Sequence, residues 1–159
     1  MKTIENVDRT APPSAGWQIL VAAAAVWWIA ILAAPVFDVS AIYSMFSIIC
    51  HQMADRSWHL AGHVLPVCIR CTSIYAGFAL ALVTRLPPHT GFLRIALAGM
   101  ALEFVVARLG LDLEPLRALS GLGVGLASAA FVTAGVEQMR RRLWYRLRTR
   151  KASALEGAR

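Results

Sequence analysis

Charge is scarce in this sequence. Of its 159 residues only 16% are Asp, Glu, Lys or Arg, while 58% are hydrophobic. That balance excludes an ordinary soluble domain, in which about a quarter of the residues are charged. Cysteine is scarce as well: there are three, all between Cys50 and Cys71. Three thiols fall short of the two pairs that membrane thiol oxidases usually use, and one disulfide would strand the third. Acidic residues number nine against sixteen basic ones, for a formal net charge of +7. The excess is not spread as a nucleic-acid surface would be. Arg140, Arg141, Arg142, Arg146, Arg148, Arg150 and Lys151 crowd directly behind the last apolar run. The positive-inside rule places basic residues there, where they also meet anionic lipid. The distribution therefore argues against nucleic acid as a partner. No internal repeat at solenoid spacing is present.

What the chain has instead is long apolar runs. A helix needs about 20 apolar residues to cross a bilayer. The sequence offers spans at about 17–37, 64–86, 91–109 and 118–139, after a polar lead (residues 1–16) and before a basic tail (residues 140–159). The first run is longer than the core of a cleaved signal peptide, so it reads as a retained span. Trp17 sits where an interfacial anchor belongs, and Trp27 and Trp28 fall within the span as packing residues. Residues 38–60 are too polar to span. Ile42, Met45, Phe46, Ile49 and Met53 recur there at helical spacing, which predicts an interfacial or re-entrant helix. Gly121, Gly123 and Gly125, followed by a run of small residues, predict a helix side that permits close contact. The expected fold is thus an all-α integral membrane protein of four spans plus one interfacial helix. With four spans, Lys2, Arg9, Arg85, Arg94 and the basic tail share one side. Asp38, Asp55, Asp112 and Glu114 share the other. Both termini are then cytoplasmic, in a bacterial or archaeal inner membrane.

The chemistry is concentrated in CHQMADRSWHLAGHVLPVCIRC, Cys50 to Cys71, which also holds three of the four histidines. Cys68 and Cys71 form a CxxC pair at the start of a span, with Cys50 and His51 upstream as a second arm. Two arms of this kind can close a tetrahedral zinc shell. Adjacent residues point apart in a regular helix, so Cys50 and His51 can both ligate only at a helix end or break; His59 and His63 are spare candidates. Thiolate and imidazole donors also suit copper or iron. A redox reading stays open beside it, since a CxxC in an oxidising compartment tends to form a disulfide, and a helix start beside Arg70 favours the thiolate. A plain staple joining the interfacial helix to the second span is the third reading.

The same residues resemble a known family of predicted membrane proteins, domain of unknown function 2085. Its members show a CHQ, an RSF-like triplet and a PVC-x-RCTGIY-x-G block. Here these are Cys50-His51-Gln52, Arg56-Ser57-Trp58 and the run from Pro66 to Gly77, with Ser73 in place of glycine and Trp58 in place of Phe. Glu103 stands near a family Asp, and LRALSG (Leu116 to Gly121) is similar to LR-x-x-TG. The resemblance implicates Cys50, His51, Gln52, Arg56, Cys68, Arg70, Cys71, Glu103 and Arg117, and implies no activity. An ionisable group at membrane depth is costly unless it is paired. Glu103 is therefore expected to approach Arg70 or Arg117, or to support a ligating His51. Such intramembrane charges also suit docking of a membrane partner or a second copy of the chain.

Overall fold

The structure, a computed structural model, describes residues 14–156, with side chains described as far as Arg146 except that of Tyr145. Most of the polar lead, with Lys2 and Arg9, and the side chains of Arg148, Arg150 and Lys151 lie outside the described residues. Five α-helices and one small hairpin make up the rest: α1 (Ala15–Phe37), α2 (Ser40–Ser47), β1 (His59–Leu60), β2 (His63–Val64), α3 (Ile69–Thr84), α4 (Thr90–Arg108) and α5 (Glu114–Glu156). Among the described residues, three stretches are long and apolar enough to cross a membrane: Ala15–Phe37, Thr90–Arg108 and Glu114–Trp144. The expected second span is helical over 16 residues only. At 1.5 Å per residue that is roughly 24 Å, short of a hydrocarbon core of about 30 Å.

Local sequence explains the boundaries. Ser14 caps α1 by accepting a hydrogen bond from Trp17 N at 3.3 Å, satisfying one of the first-turn amides. Pro35 is tolerated in its last turn, and Asp38 closes it with a left-handed backbone, φ 50°. Residues 38–60 are not one helix. Helix α2 ends at Ser47, a 3₁₀ turn covers Ala54–Arg56, and β1 pairs antiparallel with β2. The two-residue loop between the strands, Ala61-Gly62, takes positive φ at both positions, 53° and 83°, as a tight hairpin turn demands. Of the apolar positions at helical spacing, Phe46 alone is fully buried on α2. Pro66 precedes α3 rather than sitting in its first turn, and Cys68 is the N-cap. A proline pushes the residue before it toward extended backbone, so Leu65 and Pro66 continue from β2 without a helical turn.

At the far end, α5 does not stop near Met139. No proline or glycine interrupts residues 136–156, and Glu137 pairs with Arg140 and Arg141 at 2.7 and 3.0 Å. Such i,i+3 and i,i+4 pairs support a helix surface. The tail therefore continues the helix.

The contacts fix an alternating up-and-down order. Trp17 Nε1 donates to Leu82 O at 3.0 Å and Trp28 Nε1 to Tyr75 O at 3.3 Å, so α1 runs antiparallel to α3. Trp17 is also covered by the Arg85 guanidinium, 4.8 Å above its ring, so it holds two helix ends together. Gly121 meets Arg70 and Ser73, and Gly125 meets Ile74 and Phe78, so α3 and α5 run parallel. A Cβ at Gly77 or Gly125 would collide with the carbonyl of Leu122 or Ile74, and one at Gly121 would stand 2.6 Å from Arg70 O. This is the close helix approach that small residues permit in membranes. Gly123 faces α4 instead, with Ala96 Cβ 3.7 Å from where its own would be.

The packing predicts a contrast between two glycines. Gly125→Leu forces α3 off α5 and should cost about 2 kcal/mol, visible as a thermal midpoint lowered by several degrees in detergent. Gly99→Leu, on α4 with nothing within 4 Å, should leave the midpoint within about a degree.

Candidate functional site

One end of the bundle gathers the C-terminal ends of α1 and α4 with the N-terminal ends of α3 and α5. The three cysteines meet there. Cys50 lies three residues past α2, where the chain has left the helix, and is 4% exposed. Cys68 caps α3 and Cys71 sits in its first turn, both half-buried. The three Sγ atoms lie within 4.8 Å of one another, and all three thiols are free. Cys68 N donates to Cys50 Sγ at 3.2 Å, which ties the two arms directly.

The walls of the cluster come from distant parts of the chain. Ile31, Phe46, Leu65 and Val67 are buried with Cys50, and Trp27, Ile42 and Tyr75 pack against them. The Trp27 ring meets Phe46 and Tyr75 edge to face, with centroids 5.0 and 5.6 Å apart. Tyr75 belongs to the same packed cluster as all three cysteines, and Trp27 Nε1 is buried without a hydrogen-bond partner among the described residues. Trp27 reads from sequence as a packing residue only. Nothing in the linear pattern links Trp27 to a cysteine pair some forty residues later.

Gln52 explains why the two arms stay together. Its backbone is left-handed, φ 50°, and its side-chain amide donates to Tyr43 O at 2.7 Å and Pro66 O at 2.8 Å. One side chain thus bridges α2 to the segment entering α3. Tyr43 adds a parallel link by donating its hydroxyl to Val64 O at 2.6 Å. Burial, helped by the Asp38 carboxylate, pushes this phenol above its ordinary range. His51 is exposed and is not part of the three-thiol cluster. His59 and His63 are exposed on the hairpin. His89, at the opposite end, caps α4 by accepting from Phe92 N at 3.2 Å.

Beside the thiols runs a chain of charges. Arg70 Nη2 donates to Glu103 Oε1 and Oε2 at 2.9 and 2.6 Å, and its Nε to Oε2 at 3.1 Å. Glu103 also faces Arg117 Nε at 3.8 Å, and the two residues are 3% and 4% exposed. Arg117 pairs in turn with Asp112, which is 3.2 Å from Arg56 Nη2. Trp58 Nε1 donates to Glu114 Oε1 at 2.6 Å. The Arg56-Ser57-Trp58 triplet is therefore a latch onto the α4–α5 turn, and Arg56 reaches the buried ions only through Asp112. The structure brings Arg70, Glu103 and Arg117 together as expected. The carboxylate binds arginines rather than a histidine.

The family's sequence profile, described as Predicted membrane protein (DUF2085), matches residues 50–131. The chain belongs to this family. Its matched segment opens at Cys50 and takes in every cysteine, Arg70, Glu103 and Arg117. An uncharacterized protein of Methanocaldococcus jannaschii is 31% identical over 102 residues, covering 57% of this chain and 65% of the relative's length. A second uncharacterized protein, from Methanothermobacter thermautotrophicus, is 50% identical over 32 residues, 20% of this chain and 29% of its own. No solved structure matches. The protein is thus a membrane protein with archaeal relatives, and its apolar helices contact the bilayer.

Two substitutions check the supports. Gln52→Ala removes both bridging donors and should cost about 2 kcal/mol. It should also raise the alkylation rate of Cys50 in reduced protein about tenfold, as read by mass spectrometry. Glu103→Leu leaves Arg70 and Arg117 without their shared anion and should cost roughly 3–5 kcal/mol, read as loss of the monodisperse peak in size-exclusion chromatography.

Proposed function

We propose that this protein binds a transition metal ion, zinc before copper or iron, through Cys50, Cys68 and Cys71, with His51 completing the shell. The observation that carries the reading is the convergence of three free thiols from two chain segments within 4.8 Å. Zinc holds thiolates at about 2.3 Å, so sulfurs of one tetrahedral shell stand about 3.8 Å apart. A cluster this tight needs only small adjustments. Cys50 and His51 lie past the end of α2, outside regular helix, so the rule that neighbours point apart on a helix does not bar both from ligating. Exposure of His51 leaves its imidazole available. If His51 stays out, the fourth position is open to water or substrate, as in catalytic zinc sites.

The reading extends to topology. The protein crosses the inner membrane four times, with α3 as the short second span and both termini in the cytoplasm. The thiol cluster is then at the outer boundary, and the basic tail lies on the cytoplasmic leaflet against anionic lipid. A second reading, thiol–disulfide exchange, is favoured by the Cys68 N–H on Cys50 Sγ, which stabilises a thiolate at the mouth of α3. Docking of a membrane partner or a second copy through the intramembrane charges is weaker, because those charges already pair with one another.

Metal analysis of protein purified without chelator should give about one zinc per chain, falling to near zero in Cys68→Ser. Metal-free protein that still reacts with three alkylating groups would sink the metal reading. If alkylation instead rises from one site to three on adding reductant, the exchange reading replaces it. A reporter enzyme fused after Arg159 should be active as a cytoplasmic fusion and silent as an exported one.

A further inference from the structure

Helix α4 is the barest element of the bundle. Ala96 and Glu103 are its only buried residues, and its contacts are chiefly with α5. Its exposed face is not uniform. Leu97, Ala101, Phe104, Val105 and Arg108 follow one another at i, i+4, i+7, i+8 and i+11 and so form one stripe. Beside this stripe lies an open groove of about 480 Å³, lined by Arg70, Leu97, Met100, Ala101, Phe104 and Val105. Five of the six are apolar, and no carboxylate lines it.

The groove is apolar along its length and cationic at one end. The Arg70 guanidinium lies 5.8 Å from the Phe104 ring centroid and that of Arg108 5.3 Å. Arg70 spends Nε and Nη2 on Glu103, while Nη1 takes no part in those bonds. Arg108 is exposed and makes no ion pair among the described residues. From Leu97 to Arg108 the helix rises about 16 Å, close to the ~15 Å depth of one leaflet's hydrocarbon. The stripe thus has the dimensions of a single lipid chain and carries its charges where that lipid's headgroup lies.

The geometry points to a binding site for one anionic phospholipid. An acyl chain occupies the groove along α4, and the phosphate pairs with Arg108 and the free edge of Arg70. Two guanidinium groups suit phosphate oxygens well. A zwitterionic lipid brings its own cation to the same place and loses part of that attraction. The site is separate from the thiol cluster, but it touches the same Arg70 that lies between Cys68 and Cys71. It stands whether or not the cluster holds metal.

The test is native mass spectrometry of the full chain in mild detergent, with phosphatidylglycerol or phosphatidylcholine added at equal mole fraction. One phosphatidylglycerol per chain should persist, with at least about tenfold preference over phosphatidylcholine. Arg108→Gln should lower that preference about tenfold, and Ala101→Trp, which fills the groove, should abolish the complex. Ala98→Trp, exposed on α4 but outside the groove lining, should leave it intact; neither tryptophan should move the thermal midpoint. Equal retention of the two lipids overturns the proposal. So does an unchanged complex in Ala101→Trp or an unchanged preference in Arg108→Gln, equal loss with Ala98→Trp, or a lipid-free dimer of the chain.

Discussion

Helices α3 and α5 touch backbone to backbone where Gly77, Gly121 and Gly125 leave no side chain between them. Lipid tails are as apolar as leucine, so helices in a bilayer gain little from burying apolar area and depend on close contact instead. This contact sets the height of α3 against α5. It places the first turn of α3, with Cys68, Arg70 and Cys71, level with Arg117 in the first turn of α5. The thiol cluster and the buried ions at this end both inherit their positions from it.

A second layer of order comes from polar groups that have few other partners. Arg70, Glu103 and Arg117 are held by one another, and removing one member leaves the buried Glu103 or Arg117 charge without part of its pairing, which is costly even where the pairing adds little net stability. Its value here lies in specificity, because Glu103 is one of two buried residues on α4. Without that carboxylate, little on this thinly packed helix would fix its rotation about its own axis. Asp112 passes the link on to Arg56, and Trp58 adds a bond to Glu114. The irregular segment that follows Cys50 is thereby fastened to the α4–α5 turn. Gln52 does the corresponding work on the other side, where it joins Tyr43 and Pro66.

The chemistry that results is a set of soft donors in a largely apolar wall. Trp27, Phe46 and Tyr75 pack against the cysteines, while His51 is exposed. Arg70, which pairs with Glu103 and lines the groove on α4, lies between Cys68 and Cys71 in the chain.

Much was legible in the residues themselves. Apolar runs fixed the membrane class, because no other environment accommodates so little charge. The crowding of Cys50, Cys68 and Cys71 into one stretch marked the centre, and the cost of a charge at membrane depth required partners for Glu103. Helical spacing over residues 38–60 misled, since Ile42, Met45, Phe46, Ile49 and Met53 fit a helix that the chain abandons after Ser47. The chain leaves the helix at Ile48, and the left-handed backbone of Gln52 breaks that local periodicity. Tertiary structure alone decided that Trp27 and Tyr75 wall the cluster, that Gln52 bridges its arms, and that His51 stands outside it. These are contacts between segments far apart in sequence, and the geometry of a long-range contact is not encoded in any one segment's spacing. The sequence determined which groups must be paired; the packing of α3 on α5 decided with what.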